Sequence, residues 1–88
     1  MTKAKRQALL LARAQALDTW AAGRERAIVN LISAAESLEE YDFVEEAACL
    51  WHAVLRLRES ARWERAEAAA LRAQWDRCGK ERRALERS

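Results

Sequence analysis

Proline is absent from this chain and glycine occurs only at positions 23 and 79, so the two residue types that most readily end helices are nearly missing. Valine and isoleucine together number five, which leaves little β-branched material for a sheet. Apolar runs such as Ala8 to Ala12 stop far short of the roughly 20 residues needed to cross a bilayer. No signal-peptide pattern follows the start, and a cytoplasmic protein is expected. The two cysteines, Cys49 and Cys78, are too few and too widely separated for a disulfide framework or a zinc ribbon, and reduced thiols are expected.

The same scarcity argues against chemistry. His52 is the only histidine. Glu45, Cys49 and His52 share one helix face at i, i+4, i+7 spacing, but no second His or Cys lies nearby to complete a tetrahedral metal set. Cys49 and His52, one turn apart, also lack an orienting third residue and an oxyanion hole, so a Cys–His nucleophile is not indicated. There is no phosphate-cradling glycine loop and no Gly-x-Ser-x-Gly elbow. No metal, cofactor or enzymatic activity is expected.

Charge is present in quantity and unevenly placed. Met1 to Arg26 carries +4, Ala27 to Leu55 carries −6 with no lysine or arginine at all, and Arg56 to Ser88 carries +4. A chain reversal within the acidic segment would therefore put negative charge at one end of the molecule and positive charge at the other. Arginine outnumbers lysine thirteen to three, a bias that with the alanine content suggests a GC-rich bacterial or phage genome.

Alanine and leucine supply helical periodicity. Leu10, Ala14, Leu17 and Ala21 step by alternating fours and threes, and Ile28, Leu31, Ala35 and Leu38 resume the pattern after Gly23, as expected of amphipathic helices. Beyond Tyr41, Asp42 is suited to cap a new helix with Glu45 reaching back to it. A third stripe runs through Leu50, Val54, Leu57, Ala61, Glu64, Ala68, Leu71, Trp75 and Cys78, a heptad rhythm with one polar intruder. The expected fold is a single all-α domain over 1–88. Its antiparallel bundle has three helices, Lys3 to Ala22, Arg24 to Glu40 and a long one from Phe43 to Cys78, with Gly79 as a stop and 80–88 a frayed charged tail. The alternative merges the first two into a long two-helix hairpin that must dimerise to bury both faces. At 88 residues a single core is only marginally stabilising, so self-association is expected in either case.

Trp51, Trp63 and Trp75 are twelve residues apart, and at about 100° per residue each step rotates the side chain by about 120°. They cannot all face one core. With Trp75 on the stripe, Trp51 falls at its border and Trp63 points away, so either the helix breaks near Glu59 to Ala61 and turns it inward, or it packs on Arg and Glu stems at the surface, or it meets a second subunit or another protein. Tryptophan and arginine dominate interface hot spots, and the residues expected to contact a protein partner are Arg56, Trp63, Ala66 and Ala70. The acidic tip at Glu39, Glu40 and Asp42 is a second contact. These features indicate a non-enzymatic interaction module of regulator, inhibitor, adaptor or chaperone type, and a phage or plasmid origin would suit an inhibitor of host machinery. The alternative is nucleic-acid binding through Lys3, Lys5, Arg6, Arg72, Arg77, Arg82 and Arg83, which a hairpin would gather at one end.

Overall fold

The computed structural model describes residues 2–87, and they form two helices: α1, Lys3–Glu40, and α2, Val44–Arg87. No strand occurs among the described residues. The helices lie antiparallel in a rod of 70 × 16 × 15 Å with a radius of gyration of 19.8 Å. A compact chain of this length would have a radius of about 12 Å.

The three-helix expectation is overturned, because α1 runs through Gly23 without a break. A lone interior glycine costs a helix about 1 kcal/mol relative to alanine, and packing along the full length of α2 outweighs that. Gly79 likewise fails to stop α2, which continues to Arg87. The two-helix alternative is the architecture observed.

The buried residues explain the pairing. In α1, Ala14, Ala21, Ile28 and Ala35 are buried at intervals of seven, as are Ala47, Val54, Ala61 and Ala68 in α2. Taking these as a positions of a heptad, the d positions include Leu10, Leu17, Arg24, Leu31 and Leu38 in α1, and Leu50, Leu57, Glu64, Leu71 and Cys78 in α2. Leu17 and Leu71 pack with Ala14 and Ala68, and Leu10 lies against them. Alanine at most a positions draws the helices together but buries little apolar area, so the seam is long and thin. Among the buried apolar side chains, the largest that is fully enclosed is only Val54.

One d layer is ionic. Arg24 Nε donates to Glu64 Oε1 at 2.8 Å, with the Glu64 side chain 5% exposed and that of Arg24 40% exposed. The pair sits at the middle of the rod and in step with the Leu17–Leu71 layer, since both pairs of residue numbers have the same sum. A charge inside a seam is satisfied only when its partner is opposite, so this layer penalises any slipped alignment.

The turn differs from the sequence expectation by one residue. Asp42 has a φ of 63° and does not cap α2. Instead it closes α1: its amide donates to the Glu39 carbonyl at 3.0 Å, and the Phe43 amide donates to the Leu38 carbonyl at 2.9 Å. These are the paired bonds of a Schellman C-terminus, in which the left-handed position favours glycine. Phe43 precedes α2, and its carbonyl accepts from Ala47 N at 3.0 Å. Glu45 and Glu46 occupy the first turn of α2, where the helix dipole favours negative charge.

Two outcomes follow. Asp42→Gly relieves the left-handed strain and is expected to raise stability by up to about 1 kcal/mol in urea denaturation. At the ionic layer, Arg24→Leu strands a buried carboxylate and is expected to cost about 2–4 kcal/mol. Glu64→Leu is expected to cost less, because Arg24 can turn to water. The Arg24→Leu/Glu64→Leu double variant should melt above wild type. A double variant that melts below wild type would show that the layer contributes net stability.

Candidate interaction faces

The two long sides of the seam have opposite character. On one side the e positions face each other across an antiparallel pair, and they are filled by opposite charges. Asp18 Oδ1 accepts from Arg65 at 3.0 Å, Asp18 Oδ2 is paired with Arg72 at 2.5 Å, and Glu25 accepts from Arg65 at 2.5 Å. Farther along, Trp51 Nε1 donates to Glu39 Oε1 at 2.5 Å. The Arg72 hydrogen bond, joined by Arg65 and opposed by partial desolvation, holds the Asp18 carboxyl below the ordinary aspartate range. Glu25 and Asp18 in turn raise Arg65. Along this stretch the helices are clasped by their own side chains, beside an open recess lined by Glu25, Ile28, Arg58, Ala61, Arg62 and Arg65.

Among the described residues, the other side shows no such clasp apart from the seam pair. Trp20, at a g position beside Ala21, is 59% exposed, and Trp63, at a c position of α2, is 60% exposed. Positions c and g lie about 40° apart around a helix, so both indoles stand on this side. The alignment of the helices puts Trp20 level with Ala68, about 7–8 Å along the rod from Trp63 at 1.5 Å per residue. A shallow groove of Arg24, Glu59, Ser60, Trp63 and Glu64 runs here. The surrounding c and g positions are mostly small: Ala16, Gly23, Ala27, Ala34, Ala53 and Ala70. Leu9, 56% exposed, extends the strip towards the termini.

Of the residues singled out in the sequence, Arg56, Trp63 and Ala70 fall on one line along α2 at intervals of seven, while Ala66 turns towards the back of the helix. Trp75 occupies an a position near the open end and is 38% exposed. Trp20 went unrecognised in the sequence, although its place immediately before Ala21 and three residues after Leu17 is the signal that locates it.

At the ends, the hairpin gathers charge as the segment counts require. Glu36, Glu39, Glu40, Asp42, Glu45 and Glu46 cluster at the turn, all exposed, with Glu39 engaged by Trp51. Lys3, Arg6 and Arg82 line a recess at the opposite end with Gln7, Cys78 and Glu81. Gln7 Nε2 donates to the Trp75 carbonyl at 3.5 Å, which ties α1 to α2 there. Arg77 and Arg83 are exposed at the same end, whereas Arg72 is turned to Asp18. Cys49 and Cys78 are free thiols. Glu45, Cys49 and His52 form no metal-binding group, and no such group occurs among the described residues. No helix of the described residues is long and apolar enough to cross a membrane.

The Asp18 clasp carries a pH dependence of defined sign. A depressed carboxyl contributes stability that is fully present above the unfolded aspartate value of about 3.9 and is lost as pH falls through the lower folded value. Asp18→Asn is expected to melt below wild type at neutral pH, with the gap closing in the acid window below pH ~4. A gap that persists unchanged down to pH ~2 would detach these bonds from stability.

Compared with protein families, curated proteins and solved structures, the chain matches none, so its functional reading rests on these two faces and two charged ends.

Proposed function

We propose that this chain is a non-enzymatic protein-interaction module of the cytoplasm, which occludes or bridges a surface on a larger macromolecule in the manner of a regulator, inhibitor, adaptor or small chaperone. The observation that carries this is the pair of indoles, Trp20 and Trp63, each about 60% exposed on the same unclasped side. Leaving large aromatic surface in water forgoes roughly 1.5–3 kcal/mol per side chain, and contiguous apolar strips on small proteins mark contact sites. Arg56 and Ala70, seven residues to either side of Trp63 on the same line of α2, complete the contact. The acidic tip at Glu39, Glu40 and Asp42 is the second contact, suited to a basic partner.

A second reading draws on a different observation. Lys3, Lys5 and Arg6 share one end with Arg77, Arg82 and Arg83, a net basic cluster that suits phosphate contact by counterion release, although Asp76, Glu81 and Glu86 interleave with it and Arg82 pairs with Glu86 at 3.8 Å. Arg72 contributes less to it because Asp18 holds it.

Affinity capture from the source cell with wild-type and Trp63→Ala chains separates these readings. One stoichiometric protein retained by wild type and lost with Trp63→Ala, while circular dichroism stays helical, is the expected result. Retention of duplex or single-stranded oligonucleotides that weakens steeply with salt and is indifferent to Trp63 would replace it with the nucleic-acid reading.

A further inference from the structure

We infer that the Trp20 and Trp63 side is closed by a second copy of this chain, laid antiparallel across the first about a two-fold axis at mid-rod. The inference rests on that side being a protein contact, and it names the occupant.

Three observations converge on a second copy. The first is surface. The rod exposes 6747 Å², against about 5,300 Å² for a compact monomer of this mass. A side 70 Å long and 15–16 Å wide offers on the order of 1,000 Å², against ~800 Å² per partner in a stable interface.

The second is charge. A face-to-face two-fold pair of hairpins has two orientations. Parallel rods would bring twelve acidic residues together at one end, whereas antiparallel rods set each acidic tip against the other copy's basic end. Like charges at close quarters oppose the first and opposite charges favour the second.

The third is shape, read at the level that matched ends give the axis. Matching the ends places the axis midway along α1, between Ala21 and Ala22, and between Ala66 and Glu67 in α2. At that level Trp20 lies across from Gly23 of the second copy, Trp63 from its Ala70, Ala16 from its Ala27 and Leu9 from its Ala34. Each of these large apolar side chains meets a small one. Gly23 gains a reason it lacks in the hairpin, where an added Cβ would meet only the Arg26 guanidinium at 3.9 Å and alanine would make a better helix. Arg56 falls level with the second copy's Arg77, and both long side chains can turn their charged heads to solvent. At the rim Glu46 is level with the second copy's Arg87.

Sedimentation equilibrium on the whole chain tests this. Wild type is expected at twice its 10.1 kDa mass. Trp20→Ala and Trp63→Ala are each expected to weaken the dimer at least about 30-fold, the effect of a hot-spot residue. Gly23→Gln is the decisive variant: it improves helix propensity and ends in a polar amide, yet fills the space opposite the second copy's Trp20. It should give a monomer that remains fully helical by circular dichroism. Orientation is read from a spin label on exposed Cys49 in a Cys78→Ala background, with a separation of about 50 Å expected for antiparallel rods from the rise per residue.

A wild-type chain that stays at 10.1 kDa at millimolar concentration overturns the inference, as does a dimer indifferent to Gly23→Gln or a label separation below about 20 Å. If the chain is monomeric while Trp63→Ala still abolishes capture of a different protein, self-pairing fails and the interaction reading stands. If neither self-association nor capture responds to Trp63, both fail.

Discussion

The structure depends on a seven-residue repeat of buried alanine carried by both helices. Ala14, Ala21 and Ala35 in α1 and Ala47, Ala61 and Ala68 in α2 occupy equivalent places, so the two backbones can run side by side over their whole length. Alanine contributes little burial at any one contact. Its effect is cumulative, and it favours long continuous helices over short ones because each added turn extends the seam. That is why neither Gly23 nor Gly79 ends a helix here. A seam so uniform would tolerate slippage by one heptad, and the Arg24–Glu64 layer supplies the distinction that alanine cannot.

Once the seam is set, every other residue is assigned a side. The e positions, with Asp18, Glu25, Arg65 and Arg72, are interlocked by charge. The c and g positions, with Trp20, Trp63 and small residues around them, are not. A rod clasped by ion pairs along one side and bearing exposed indoles on the other is asymmetric about its own axis, and that asymmetry makes an interaction reading more than a statement about exposed tryptophan. Scattered apolar residues on a surface are ordinary. Two indoles about 8 Å apart along the rod, on the side without clasps, are a local concentration.

Much of this was legible in the residues. The stripes from Leu10 to Leu38 and from Leu50 to Cys78 are the observed seam, because burial follows helical period whatever the tertiary partner. Trp63 could be placed outside by rotation alone. What failed was local punctuation. Gly23 reads as a break when only nearest neighbours are weighed, and that reading hid Arg24, which falls seven residues after Leu17 and is the partner that the polar intruder Glu64 required. Asp42 offered both an N-cap and a left-handed C-terminus, and the choice depended on backbone bonds to Leu38 and Glu39 that no side-chain pattern specifies. The e-side ladder needed the interhelical alignment, which the Arg24–Glu64 pair fixes.

Three features remain that the isolated hairpin does not call for. Acidic residues crowd the C-terminus of α1, where the helix dipole opposes them and no basic residue stands in the last turn. Gly23 sits in a helix interior with room for a side chain. The Trp20 and Trp63 indoles face water on the unclasped side. Each is unfavourable for a single hairpin, and each lies off the seam, so none is a compromise forced by packing the two helices together. Departures from local preference that collect on one side and at one end, with the core left regular, point to a constraint from outside the chain. A second surface that is basic where the first is acidic, and large where the first is small, answers all three together, and the opposite ends of this same rod have those properties.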